Sequence, residues 1–337
     1  MTPKYVKRVH TIPASHPRHP STVVSPDTEL KLVVDDYAIP TAPDEGYTLV
    51  FTHGVSFNRA MWEMIIRKLL DKPEISSHIK RVLALDAVNH GDSALVNAGK
   101  LAKDKRDLTD GSSKAFWLDH SKDILKVLEY FRVGPRAIGI GHSLGGGTLS
   151  HAALMAPSAF TATILIEPII FQFAGRNQII ANETLKRPDK WASYEEAREA
   201  MISNRVMSTW HPEQLQKYID TGIHKVECES GTYWTLKTTK EQEAARESTF
   251  LHRSPSSLIS WQKVVNRIIT FSVKRAEYCQ STLKDRAVIK NISNSPGWVK
   301  ILPGVGHLIP MTHPNLLVEE LAAITIENIR PHQSAKL

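Results

Sequence analysis

At 337 residues, 42% of them apolar and 23% charged, the chain is long enough for a large core, as one domain with an insertion or as two domains. Only two cysteines, Cys228 and Cys279, are present, which argues against a disulfide framework and fits a reducing or redox-neutral compartment; neither has the companions of a metal site. No run approaches the roughly 18–20 apolar residues that cross a bilayer. The net charge of +7 permits an anionic substrate such as an acyl-CoA, but no lysine/arginine run with interleaved aromatics argues for nucleic acid.

The segment Met1–Pro20 is basic and rich in His and Pro, without the apolar core of a secretory signal. Within it Tyr5–Ile12 alternates as a strand does. Leu30–Ile39 alternates likewise, and the pair predicts an antiparallel edge. Tyr47–Thr52, Arg81–Asp86, Arg136–Gly141, Ala162–Glu167, Ile268–Val273 and Trp298–Leu302 are short, continuous apolar runs of buried character. Between them Arg59–Leu70, Lys114–Phe131, Gly145–Ala156 and Asn315–Ile329 read as helices. This alternation predicts an α/β fold, a mostly parallel eight-stranded sheet with helices on both faces. From Pro168 to about Pro255 the rhythm breaks. Ser193–Asn204 and Pro212–Gly222 read there as amphipathic helices, beside Trp191, Trp210 and Trp234, and predict a helical cap inserted after strand six. The expected division is a core of residues 1–167 and 256–331, a cap of residues 168–255, and a tail of residues 332–337.

Chemistry concentrates at Gly141-His142-Ser143-Leu144-Gly145, where the apolar run ending at Gly141 gives way to a helix of small residues. A serine on so sharp a turn presents its hydroxyl above the sheet edge, and flanking glycines remove the Cβ atoms that would collide there. The arrangement resembles the nucleophile elbow of α/β-hydrolases. The Leu144 amide opens the helix and would point at a developing oxyanion.

A nucleophilic serine needs a base, and something to orient that base. His307, in Gly304-Val305-Gly306-His307 just after the last strand run, is the candidate base; a solvated loop histidine is the alternative. Its place after the serine fits the chain order Ser…acid…His. For the acid two positions stay open. Glu167 ends Thr163-Ile164-Leu165-Ile166-Glu167, where a carboxylate can reach the histidine's Nδ1–H. Glu277 follows the seventh run beside Lys274 and Arg275, in a setting that also suits a surface ion pair.

Thr52-His53-Gly54-Val55-Ser56 follows the third run, and its turn could present a second oxyanion donor, the Val55 amide or else that of Ser56. His53 suits a structural hydrogen bond. Asp86 and Asn89-His90-Gly91-Asp92-Ser93 close the fourth strand and its loop; Asp92 precedes Ser143, the wrong order for the triad acid. Neither a Walker loop nor a dinucleotide glycine fingerprint survives in context, His-Glu-x-x-His is absent, and no cofactor is implied.

Taken together, Thr52-His53-Gly54-Val55-Ser56-Phe57-Asn58 with Trp62-Glu63, then Gly-His-Ser-Leu-Gly-Gly, then Ile-Glu-Pro-Ile resemble fungal peroxisomal α/β-hydrolases. That group takes in a yeast lipase-like protein and hydrolases of the AK-, AF- and ACT-toxin clusters. The resemblance implies the α/β-hydrolase fold, Ser143 as nucleophile, His307 as base and Glu167 as acid. It also implies hydrolysis of a lipophilic ester or acyl-CoA-like thioester, in peroxisomal lipid or toxin metabolism. C–C hydrolase, lyase, acyltransferase and non-catalytic binding roles share the elbow and stay open. The terminal Ala335-Lys336-Leu337 differs by one small residue from Ser-Lys-Leu, so a peroxisomal import receptor is an expected partner; without it the location would be cytoplasmic.

Overall fold

Short apolar strands joined by amphipathic helices bury themselves best in a parallel sheet covered on both faces. The computed structural model, which describes residues 4–102, 112–169, 176–229, 231–247, 268–273 and 299–329, has that architecture. Its strands in chain order are β1 Val6–Pro13, β2 Lys31–Ala38, β3 Tyr47–Thr52, β4 Ile79–Leu85, β5 Ala137–His142, β6 Ala162–Ile166, β7 Lys190–Trp191, β8 Ile223–Cys228, β9 Gly231–Leu236, β10 Ile268–Val273 and β11 Val299–Leu302. The helices are α1 Glu63–Leu70, α2 Pro73–Ser76, α3 Gly91–Val96, α4 Ser112–Tyr130, α5 Leu144–Met155, α6 Arg176–Lys186, α7 Tyr194–Ile202, α8 Pro212–Gly222, α9 Lys240–Glu247, α10 Ile309–Thr312 and α11 Pro314–Ile329.

The main sheet runs β1-β2-β4-β3-β5-β6-β10-β11. β2 is antiparallel to β1 and to β4, while every pairing from β4 to β11 is parallel. Alternation along the strands deals side chains to two cores. Leu49, Phe51, Val82 and Ala84 pack with Ile65 of α1 and Leu317 of α11 on one face. Val50, Leu83 and Leu85 pack with Ile124 of α4 and Leu149 of α5 on the other. The sheet thus holds the C-terminal ends of β3, β5 and β6 side by side, the edge where ligands of open parallel sheets bind.

Two expectations need correction. The helix expected over Arg59–Leu70 starts as a 3-10 turn at Arg59–Trp62 and becomes α-helical only at Glu63. Asn58 caps that turn, its Oδ1 accepting from the Ala60 amide at 3.0 Å. The segment between β6 and β10 is not purely helical either: α6–α9 are joined there by a three-stranded antiparallel sheet, order β7-β9-β8. Thr232, Tyr233, Trp234 and Thr235 are β-branched or aromatic and favour strand. This segment has its own apolar cluster, in which Trp191, Met201, Trp210, Tyr218 and Ile223 meet Phe57, Met61 and Met311 of the main body. Among the described residues no helix is long and apolar enough to cross a membrane.

Candidate active site

Strand register brings the first two groups together. β5 and β6 are parallel with His142 opposite Ile166, so Ser143 and Glu167 leave the sheet as neighbours. Ser143 stands at φ 53°, ψ −115°, left-handed backbone that an ordinary residue keeps only when its surroundings impose it. Here they do: its amide donates to the Ile166 carbonyl at 3.0 Å, and its own carbonyl accepts from Gly147 at 3.0 Å and Ile169 at 3.1 Å. A Cβ on Gly145 would stand 2.5 Å from the Thr52 carbonyl oxygen, and one on Gly141 would stand 2.7 Å from that of Gly145. The two glycines are therefore a steric requirement of the turn. Glu167 is also left-handed, at φ 44°.

His307 comes from farther away. β11 is the edge strand, separated from β6 by β10, and the loop after Leu302 returns across the end of β10 with Gly304 at φ 82°. His307 Nε2 reaches 3.0 Å from Ser143 Oγ. Its Nδ1 lies 3.8 Å from Oε2 of buried Glu167, an ion pair once the ring is protonated and about half an ångström beyond a good hydrogen bond. In unliganded sites such contacts are often long and tighten on binding. Of the two acid positions weighed from sequence, Glu167 is beside the imidazole; Glu277 lies outside the described residues, as do Ala335, Lys336 and Leu337.

The loop after β3 closes the other side. Phe57 N–H donates to the Gly54 carbonyl across a turn whose third residue, Ser56, has φ 71°, as in a type II turn. A Cβ on Gly54 would stand 3.1 Å from Ser143 Cβ, so Val55 follows immediately beside the serine. Of the two amides considered, that of Ser56 is engaged: its N–H donates to His90 Nε2 at 3.3 Å. The Val55 and Leu144 amides donate to no group among the described residues. His53 has the expected structural role: its Nε2 accepts from the Ala87 amide at 3.1 Å and its Nδ1–H donates to the Gly54 carbonyl at 2.7 Å. Asp92 lies in an ion-pair network with Arg59 and Lys237.

A sequence profile described as the alpha/beta hydrolase family matches residues 49–320 of the chain. The chain belongs to this family. Among its relatives, the type I acyl-CoA thioesterase mpaH of Penicillium brevicompactum is 31% identical over 64% of this chain, and the match spans 50% of the thioesterase's own length. The peroxisomal membrane protein LPX1 of Saccharomyces cerevisiae is 26% identical over 94% of this chain and 86% of the yeast protein. The solved structure of that peroxisomal hydrolase superposes with a TM-score of 0.79 at 24% identity, covering 99% of this chain and 93% of the other. An abhydrolase domain-containing protein of Alternaria alternata, ACTT2, is 26% identical over 55% of this chain and 81% of its own length.

One member of this candidate site, His142, carried no assignment from sequence beyond its place in the elbow. It is buried between the two catalytic candidates' loops: its Nε2–H donates to the His307 carbonyl at 2.8 Å, and the two rings lie 5.0 Å apart. Burial, and then the charge of a protonated His307, push its pKa down to about 3. The unfolded chain would protonate it near 6.5. Its contribution is therefore fully present above pH 6.5 and is lost as the pH falls from there toward 3, by about 1.4 kcal/mol per pH unit. His142→Gln, which keeps a donor for the carbonyl, is expected to lose about 2 kcal/mol less than wild type between pH 7 and pH 5. Urea unfolding of both proteins at the two pH values measures this, and equal losses would refute it.

Proposed function

We propose that this hydrolase cleaves thioesters or esters of lipophilic acyl groups by covalent catalysis through Ser143. The observation that carries the reading is the 3.0 Å approach of His307 Nε2 to Ser143 Oγ, with Glu167 on the far side of the ring. The imidazole takes the hydroxyl proton as Oγ attacks the acyl carbonyl, and Glu167 favours the imidazolium that forms. The Val55 and Leu144 amides receive the negative charge that develops on the carbonyl oxygen. His307 returns its proton to the leaving thiolate or alkoxide, then activates the water that releases the acid.

An apolar acyl chain suits the walls. Phe57 lies 6.2 Å, ring to ring, from His142 beside the serine, and Phe57 in turn packs on Trp210 and Tyr218 of the inserted segment. Leu308, next to His307, joins the same cluster. A thioester is favoured by likeness to the Penicillium acyl-CoA thioesterase. A peroxisomal setting is supported by likeness to the yeast peroxisomal protein, whereas a role in toxin metabolism rests on the sequence resemblance alone. The inserted segment, residues 168–255 in the sequence reading, would act as the cap over the site.

The test is hydrolysis of acyl-CoA thioesters and matched p-nitrophenyl esters of increasing chain length, with Ser143→Ala as the background. Rates that rise from acetyl to longer chains, and vanish in the variant, are expected. Release from neither series at any length would sink the reading.

A further inference from the structure

Ser56 is held twice from one helix of the inserted segment. Its hydroxyl donates to Oε1 of Glu243 on α9. Its amide donates to His90 Nε2; the His90 Nδ1–H donates to Asn89 Oδ1 at 2.7 Å, and the Asn89 amide donates to Gln242 Oε1, also on α9, at 3.2 Å. Adjacent residues of α9 thus reach both donors of a residue in left-handed backbone, one directly and the other through His90 and Asn89. Glu243 is buried, and its second oxygen accepts from Arg187 Nη2 at 2.6 Å, so the carboxylate is charge-compensated and oriented.

This clamp has a consequence for chemistry. A serine at φ 71° lacks the freedom of glycine, and left alone the turn would gain by relaxing. The conformation persists because the surroundings over-determine it. Relaxation would rotate the peptides flanking Ser56 and carry Val55, the residue before it, off the serine's flank.

We propose that Glu243 is a positioning residue for hydrolysis: from the inserted segment it fixes the Gly54–Phe57 turn so that the Val55 amide faces the oxyanion. Seating of α9 on the main body then completes the oxyanion hole, and hydrolysis is fast only while it is seated. This rests on the reading of Ser143 as nucleophile and Val55 as oxyanion donor.

Glu243→Ala and Ser56→Ala break the same bond from opposite ends; the second leaves the Glu243–Arg187 pair intact and so guards against a mere loss of folding. Each is expected to lower kcat by about 10- to 100-fold, less than outright loss of an oxyanion donor. KM should stay within about twofold, and the double variant should be no worse than either single one, since coupled residues are non-additive. Glu243→Gln, which can still bond the hydroxyl, should recover most of kcat. Binding of a trifluoromethyl ketone, whose adduct places an oxyanion in the hole, should weaken in parallel with kcat; a merely structural role would not move it. Unchanged kcat, a loss confined to KM, or additive losses would each overturn the proposal. The two readings fail separately. Near-wild-type turnover in Ser143→Ala sinks the hydrolase mechanism, whereas a severely impaired Ser143→Ala beside a fully active Glu243→Ala sinks only the positioning role.

Discussion

Ser143→Ala is expected to lower turnover of a preferred thioester by about 10⁴- to 10⁶-fold, and Glu167→Gln by about 10³- to 10⁴-fold. The order follows from what each group does. On the proposed mechanism, loss of Oγ removes the covalent step, and any residual activity would come from substrate binding and the Val55 and Leu144 amides. Without the carboxylate the nucleophile and base remain in place, but the imidazolium loses its counter-charge and the neutral ring loses the group that favours a proton on Nδ1. The 3.8 Å between Glu167 and Nδ1 makes this a demanding prediction, because the carboxylate must close that gap when substrate binds. Adding Glu167→Gln to Ser143→Ala should cost almost nothing further, since members of one catalytic unit are not additive. Steady-state kinetics on the four proteins decides it. If Glu167→Gln turns over at nearly the wild-type rate, the acid lies elsewhere, and Glu277 is the next position to substitute.

What was legible from sequence divides along a physical line. The elbow could be read because its constraint is local: Gly141 and Gly145 are demanded by atoms within a few residues of them or by the neighbouring strand end. Likewise the runs that became β3 to β6 announce themselves by continuous apolar character, and parallel order then makes Ser143 and Glu167 neighbours. The approach of His307 to Ser143 could be anticipated from chain order and from glycines after a strand. The clamp on Ser56 could not, since it joins residues 187 positions apart and depends on how α9 docks. Charged α9 reads in isolation as an unremarkable solvated helix, yet Glu243 is buried. That the Ser56 amide is taken up by His90 was equally illegible, because that bond is a tertiary contact. The strands β8 and β9 were missed because β8, with His224, Lys225 and Glu227, carries no apolar run, although Thr232–Thr235 of β9 favour strand.

Arg59→Ala is expected to destabilise the fold by about 3–5 kcal/mol, the usual cost of stripping a buried charge of its partner. Its guanidinium is a three-way junction: Nε on Asp35 at 2.7 Å, Nη1 on Asp86 at 2.6 Å and Nη2 on Asp92 at 2.8 Å. Asp35 and Asp86 are buried and would be left facing one another's charge. The network extends to Lys7, which bridges Asp35 and Glu63, and to Lys237, from the inserted segment, on Asp92. Asp86 is the critical member. Burial pushes its carboxyl up to about 6 even though Arg59 pulls the other way, and it also accepts from the Arg59 and Asp92 amides at 2.7 and 2.9 Å. An acid raised in this way adds stability below its unfolded value of 3.8 and gives it up as pH climbs through its folded value. Removing Arg59 raises that folded value further, so the variant can escape part of its loss by taking up a proton. Its deficit against wild type should therefore be smaller at about pH 5.5 than at about pH 8. Arg59→Lys should fall between the two, because one ammonium cannot replace a planar fork on three carboxylates. Urea unfolding at the two pH values tests both statements; a deficit below about 1 kcal/mol, or one that grows on acidification, would show that the junction is not what holds the loops after β3 and β4 together.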